Sequence, residues 1–471
     1  MYINGEWIGA KSGESYEVMN PATNELVSEV AYGNDEDAKS AIDAAHSAFA
    51  SWSGTTANER SNYLYKLYHL MMEEKESLAK AITLEMGKPI NESRGEVNIA
   101  AEYVLWYAEQ AKRVYGEIVA ASSTNKRLHV IKQPVGPVAA ITPWNFPVSM
   151  LTRKIAPALA AGCTVVLKPA SYTPTSAIKL FECIEKAGFP KGVANLVIGQ
   201  SRSIGEEFTN NPLIRKITFT GSTSVGKKLM EAASEQVKRV SMELGGHAPF
   251  IVFEDADLEK AVNGVIISKY RNAGQTCICL NRLYVHRSIK DRFEAMLKEK
   301  VEQLEVGNGL DESTEIGPLV DQSAYDKVQD QVKDALGKGA TLLTGGAAAN
   351  EGTLFYKPTL LTNVTKEMVI TTEETFGPVC PIYAFDTEEE AIQMANDSEY
   401  GLAAYYYTKD LGKAIRVGEK LEYGIIGVND AVPTTVQAPF GGMKESGAGR
   451  EGGHQGIEGF IEEKFMSIDI E

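Results

Sequence analysis

The chain has 471 residues, 44% of them hydrophobic and 23% charged, with a formal net charge of −16. That length exceeds one hydrophobic core and calls for two or more domains, in the ordinary composition of a soluble globular protein. The acidic excess argues against a nucleic-acid or anionic-membrane surface, and Met1 to Trp7 show no basic stretch leading into an apolar one, so no signal peptide is expected.

Residues 35–49 carry alanines and aliphatics at helical spacing, and 58–84 continue that pattern. From Val135 the texture changes to short apolar strands alternating with amphipathic helices. Strands are predicted at 138–142, 164–167, 193–198 and 217–220, with helices at 149–161 and 175–187. Residues 155–167, the most apolar stretch, are interrupted by Pro157 and Gly162 and are too short to span a bilayer. Strands without strict polar alternation, separated by helices, indicate a parallel sheet covered on both faces. Such a sheet binds ligands beyond the carboxyl ends of its strands. A second series runs from residue 249 to about Val428, with strands at 249–253 and 283–286 and helices at 256–270, 290–304 and 323–336. It predicts a second α/β domain. A glycine-dense loop at 440–447 and a short tail follow. The five cysteines, Cys163, Cys183, Cys277, Cys279 and Cys380, are too sparse and odd in number for a secreted disulfide framework, so the cytosol is the expected compartment. Neither histidines nor cysteines have zinc-site spacing, and no metal is expected.

Four segments carry the chemistry. Asn272 to Cys279 contains Gly274, which permits a turn other residues resist, and then Cys277. A cysteine there is either a small buried hydrophobe or a thiol presented to a cleft. Glu243-Leu244-Gly245-Gly246 places a carboxylate in a predicted loop, where two glycines let backbone approach a ligand closely and Glu243 by itself reads as a surface residue or helix cap. Pro143-Trp144-Asn145-Phe146-Pro147 follows the strand at 138–142, where an amide can donate to a developing oxyanion or serve only in a turn. Phe219 to Gly226 reads as strand, glycine turn and helix, a weak motif by which backbone N–H groups can meet a phosphate.

Together, in this order, these segments resemble the NAD(P)-dependent aldehyde dehydrogenase superfamily over essentially the whole chain. The resemblance extends to Asn20-Pro21-Ala22-Thr23, Glu374-Thr375-Phe376-Gly377-Pro378 and Pro439-Phe440-Gly441-Gly442. Within the superfamily, residues 141–147, Thr152-Arg153-Lys154 and 269–279 look most like succinate-semialdehyde dehydrogenases. The resemblance implies a Rossmann-like cofactor domain at 1–117 and 135–246, a catalytic α/β domain at 247–438 and an oligomerisation element at 118–134 and 455–471. It implies Cys277 as nucleophile, Asn145 and the Cys277 N–H as oxyanion donors, and Glu243 as the base that activates water. A thiol adds readily to a carbonyl and leaves well from a thioester, and a nearby carboxylate can take the proton of water.

For NADP or NAD, the family pattern implies Thr142, Pro143, Trp144, Lys168, Ser171, Gly221, Ser222, Gly226, Leu244, Glu374 and Phe376. Ser171 stands where NAD-selective members often carry Glu, so NADP should be used. Arg153 and Arg271 match the two arginines that clamp a substrate carboxylate, though in an acidic protein each is also a candidate for a structural ion pair. The loop at 430–437 departs from the family's serine-bearing sequence; Thr434 or Thr435 would supply the hydroxyl, and the charge of Asp430 adds an unassigned contribution. The expected substrate is succinate semialdehyde, with another small aldehyde as the alternative. A CoA-acylating enzyme or a non-catalytic relative is disfavoured by the presence of Glu243, Cys277 and Asn145. Cys279 either forms a regulatory disulfide with Cys277 or packs beneath the loop. Family members assemble as dimers or tetramers, here through 116–134 and 460–470.

Overall fold

The computed structural model describes all 471 residues. An eight-stranded sheet occupies the first half, in the order Glu6–Trp7, Tyr2–Ile3, Ala194–Leu196, Val165–Lys168, Val138–Ile141, Lys216–Thr220, Arg239–Glu243 and Gly447–Ala448. Its five central strands are parallel. Two strands follow Val138–Ile141 to one side and two to the other, so the order reverses between Val138–Ile141 and Lys216–Thr220. A crevice opens at such a switch point because the connecting helices diverge to opposite faces. The strands read as near-continuous apolar runs because helices such as Asp35–Ser53, Ile90–Gln110 and Ser149–Ala161 share one buried core with them.

A seven-stranded sheet built from residues 248–428 follows the order Thr341–Thr344, Thr359–Thr362, Val379–Phe385, Leu280–His286, Ala248–Val252, Ala403–Tyr407 and Ile425–Val428. Only its Thr341–Thr344 edge is antiparallel. Glu117–Val119, Lys126–Pro134 and Ile461–Asp469 form a separate antiparallel sheet, in which Ile461 pairs with Pro134 and Asp469 with Lys126.

Most predicted elements fall within a few residues of those observed. One differs in kind: the pattern at 58–84 is two helices, Ala57–Glu73 and Lys75–Met86, because Glu74 leaves helical geometry at φ −91° and ψ 14°. Hydrophobic spacing continues through the break, which is why periodicity alone does not show it.

Candidate active site

The segment after helix Leu258–Tyr270 is unusually shaped. Asn272, Ala273 and Gly274 all have positive φ, at 53°, 53° and 74°. Left-handed backbone is costly for Asn and Ala and persists where surroundings over-determine it, often at functional sites. A Cβ on Gly274 would run into the Gly377 carbonyl. The turn is held by Gln275, whose Oε1 accepts from Val320 N at 3.0 Å, and by Asn272 Nδ2, which donates to the Asn145 carbonyl at 3.1 Å. Cys277 emerges from it partly exposed, with a backbone N–H that makes no hydrogen bond.

Asn145 approaches from the end of Val138–Ile141. Its Nδ2 donates to Gln275 O at 3.2 Å, leaving one N–H free, and its buried Oδ1 has no partner. Beneath it lies a buried ion pair that the sequence does not announce: Lys88 bonds Glu96 and also donates to Asn145 O at 2.8 Å. Glu96 Oε1 in turn accepts from Val148 N (2.8 Å) and Ser149 N (3.1 Å), at the start of helix Ser149–Ala161. A negative charge at a helix N-terminus is favourable. The pair therefore fixes the loop that carries Asn145.

Two cavities meet at Cys277, the single residue lining both. The first, about 490 Å³, is bounded by Pro143, Trp144, Asn145, Gly221, Ser222, Leu244, Glu374 and Phe376 among others. It fits a dinucleotide on several counts. It lies at the switch point. The amides opening helix Thr223–Ser234 have no side-chain cap, the arrangement that receives a pyrophosphate. The Thr142 and Thr220 hydroxyls are buried without partners. Phe376, itself at φ 54°, meets Trp144 edge to face at 5.6 Å. Burial pushes Glu374 up to about 7. Gly226 lies against the Leu244 side chain. Lys168 is buried, bonded only to Pro169 O at 3.1 Å, and desolvation lowers it to about 8. Ser171 lies farther out, in a separate cavity that shares Val320 and Asp321 with this one.

The second cavity, about 320 Å³, is lined by Arg153, Arg271, Phe146, Met150, Thr434 and Phe440, among others. Arg271 forms no ion pair and donates no hydrogen bond; its guanidinium lies 5.4 Å from the Phe146 ring centroid. Arg153 is 5% exposed and stacks 3.8 Å over the Phe440 ring. Its Nε is 2.9 Å from Glu451 Oε2, yet neither Nε nor Nη2 is aimed at an acceptor. Thr434 faces this cavity, whereas Thr435 is exposed and donates to Gln437 instead. Asp430 is also exposed, its Oδ1 taken by Val432 N at 2.8 Å.

The aldehyde dehydrogenase family model matches residues 7–466. The chain belongs to the aldehyde dehydrogenase family. It is 51% identical to the Escherichia coli succinate-semialdehyde dehydrogenase (NADP(+)), covering 99% of this chain and 97% of that one. It is 50% identical to the glutarate-semialdehyde dehydrogenase of Pseudomonas putida, covering 100% and 97%. Its fold superposes on the Staphylococcus aureus betaine aldehyde dehydrogenase solved with NAD+ at a TM-score of 0.97 and 39% identity, covering 100% and 94%.

In this aldehyde dehydrogenase Glu243 is the last residue of its strand rather than part of a loop. Both carboxylate oxygens are buried without partners, and Gly441 passes close to Oε1. Glu243 lines neither cavity, so it must swing toward Cys277 to act there. Burial, and after it the charge of Glu451, raise its pKa well above the usual range, against Arg153 and Lys154. Glu451, missed in the sequence, binds Lys154 at 2.6 Å and bridges Phe440 in the glycine-dense loop. Cys279 lines neither cavity; its sulfur lies 3.2 Å from Lys269 Nζ. A bridge to Cys277 would require the 276–279 turn, held by Cys279 N to Thr276 O, to rearrange.

Proposed function

We propose that this chain oxidises succinate semialdehyde to succinate with NADP or NAD. The observation that carries the reading is Arg271, which lines the cavity that ends at Cys277 and makes no ion pair. A planar fork with open donors matches a carboxylate, and Arg153 Nη2, which has no acceptor, adds a second contact. The cofactor supplies the hydride acceptor when bound. Cys277, its proton given up to solvent, attacks the aldehyde carbon as the thiolate, and the Cys277 amide and the free Asn145 N–H stabilise the oxygen that becomes anionic. Oxidation of that carbon leaves a thioester on Cys277. Glu243, ionised and swung inward, takes a proton from water, whose oxygen displaces the sulfur.

Three sheets support a division into a cofactor domain (1–117, 135–246), a catalytic domain (247–438) and an oligomerisation element (118–134, 455–471). The last exposes Ile118 and Phe465 and supports a homodimer or homotetramer. No helix is long and apolar enough to cross a membrane, and five free cysteines support a cytosolic setting.

Arg271→Ala tests the reading. KM for succinate semialdehyde should rise on the order of a hundredfold, the loss of a charge-assisted pair, while an uncharged aldehyde is spared. Equal losses on both would refute the clamp. Parallel assays should show useful NADP turnover; a KM about a hundredfold above that for NAD would count against the role given to Ser171.

A further inference from the structure

The cavity of the two arginines also holds a carboxyl group with no part in the chemistry above. Glu92, in the first turn of helix Ile90–Gln110, lines it with Arg271, Phe146 and Cys277. Its Oε2 accepts a hydrogen bond from Asn272 N at 2.9 Å, the residue beside Arg271 in the strained turn. Its Oε1 has no hydrogen-bond partner, and no cation lies within ion-pairing distance. Lys88, the nearest cation on its own side, is committed to Glu96.

The charged groups that face Glu92 are Lys88 and Glu96 from its own side and Arg271 from across the cavity. The farther wall brings Arg153 with Glu451 behind it, the Tyr103 hydroxyl and the Cys277 thiol. Burial pushes the carboxyl up to about 7, against the opposing pull of Lys88, Arg271 and the Asn272 amide. An arriving carboxylate would be a second anion in a cavity of about 320 Å³ served by one unpaired arginine. Two carboxylates in one site cannot both ionise cheaply, so one takes up a proton.

We propose that Glu92 is a specificity-determining residue that makes capture of a carboxylate-bearing aldehyde proton-linked. The substrate carboxylate enters with uptake of one solvent proton on Glu92, and selectivity over uncharged aldehydes fades as pH rises. The inference rests on the carboxylate-clamp reading of Arg271 and deepens it.

The test is the ratio of kcat/KM for succinate semialdehyde to that for butyraldehyde, from about pH 6 to about pH 9, in the wild type and in Glu92→Gln. Ionisation of Cys277 and Glu243 enters both aldehydes and cancels in the ratio. Gln keeps an oxygen for the Asn272 amide but carries no charge. The wild-type ratio should fall on the order of tenfold across the range, and the variant ratio should stay level and exceed the wild type at the alkaline end. A high wild-type ratio that does not change with pH, or an equal fall in Glu92→Gln, overturns the role of Glu92 while leaving the clamp intact. A ratio near one throughout overturns the clamp and this inference with it. Should the variant not fold, calorimetric titration of the wild type with succinate, in buffers of different ionisation enthalpy, reads the proton directly. Uptake supports the proposal and its absence refutes it.

Discussion

Cys277 is poorly ionised in the free protein: burial, then the Glu374 and Glu243 carboxylates, push the thiol up to about 12 despite Arg153. A thiol held this way resists oxidation and stray alkylation. Glu243 has the opposite difficulty. Its raised pKa leaves it protonated toward the acid side, and a protonated carboxyl cannot accept the proton of water. Turnover should therefore rise with pH as Glu243 ionises. Glu243→Gln should keep a first-turnover burst of reduced cofactor yet lose about 10²–10⁴-fold in the steady state, as stopped-flow absorbance would show. Loss of the burst in equal measure would place Glu243 before the thioester instead of after it. The residue types were legible in sequence. The retracted position of Glu243 was not, because it depends on Gly441 and Glu451, some two hundred residues away in the chain.

Among elements, the turn at 271–274 has the largest influence on the site. Gly274 is legible as a turn residue, but its neighbours Asn272 and Ala273 are left-handed as well, and nothing in their side chains announces this. Contacts from other elements impose it: Glu92 on the Asn272 amide and Asn145 O on the Asn272 side chain. Gly274→Ala adds a Cβ at φ 74° against the Gly377 carbonyl. It should cost about 1 kcal/mol or more in stability and lower kcat, because relief of the clash moves Cys277. Thermal unfolding and steady-state rates on the same preparation check this; an unchanged rate would show that the turn does not position the nucleophile. The Lys88–Glu96 pair works similarly on the loop of Asn145. A buried pair of this kind is poor evidence for stability in itself, but removal of one partner strands the other charge.

For the whole molecule, two sheets put their strand ends around one thiol, so that two cavities meet at Cys277, the arrangement the proposed function requires of cofactor and substrate. The third sheet stands apart with apolar side chains in solvent: Ile118 is 81% exposed and Phe465 61%. Exposed strand edges with apolar faces favour pairing between chains. Ile118→Glu with Phe465→Glu should shift the protein to a smaller species in sedimentation velocity. An unchanged assembly would move the interface elsewhere on the surface.

The sequence by itself determined the alternation of strand and helix and the parallel sheets, because hydrophobic period is a local property, and by likeness to the family it singled out Cys277, Asn145 and Glu243. It also pointed to Arg153 and Arg271 by likeness. Only the tertiary structure decided which arginine is free. Arg153 shares a buried space with Glu451 and Phe440, whereas Arg271 has no acid within ion-pairing distance, and ion pairing is a matter of distance between segments far apart in the chain. The same holds for Glu92, Lys88 and Glu96. Glu92 and Glu96 on their helix and Lys88 just before it meet Asn272, Val148 and Asn145, and these contacts exist only once those distant segments are packed together.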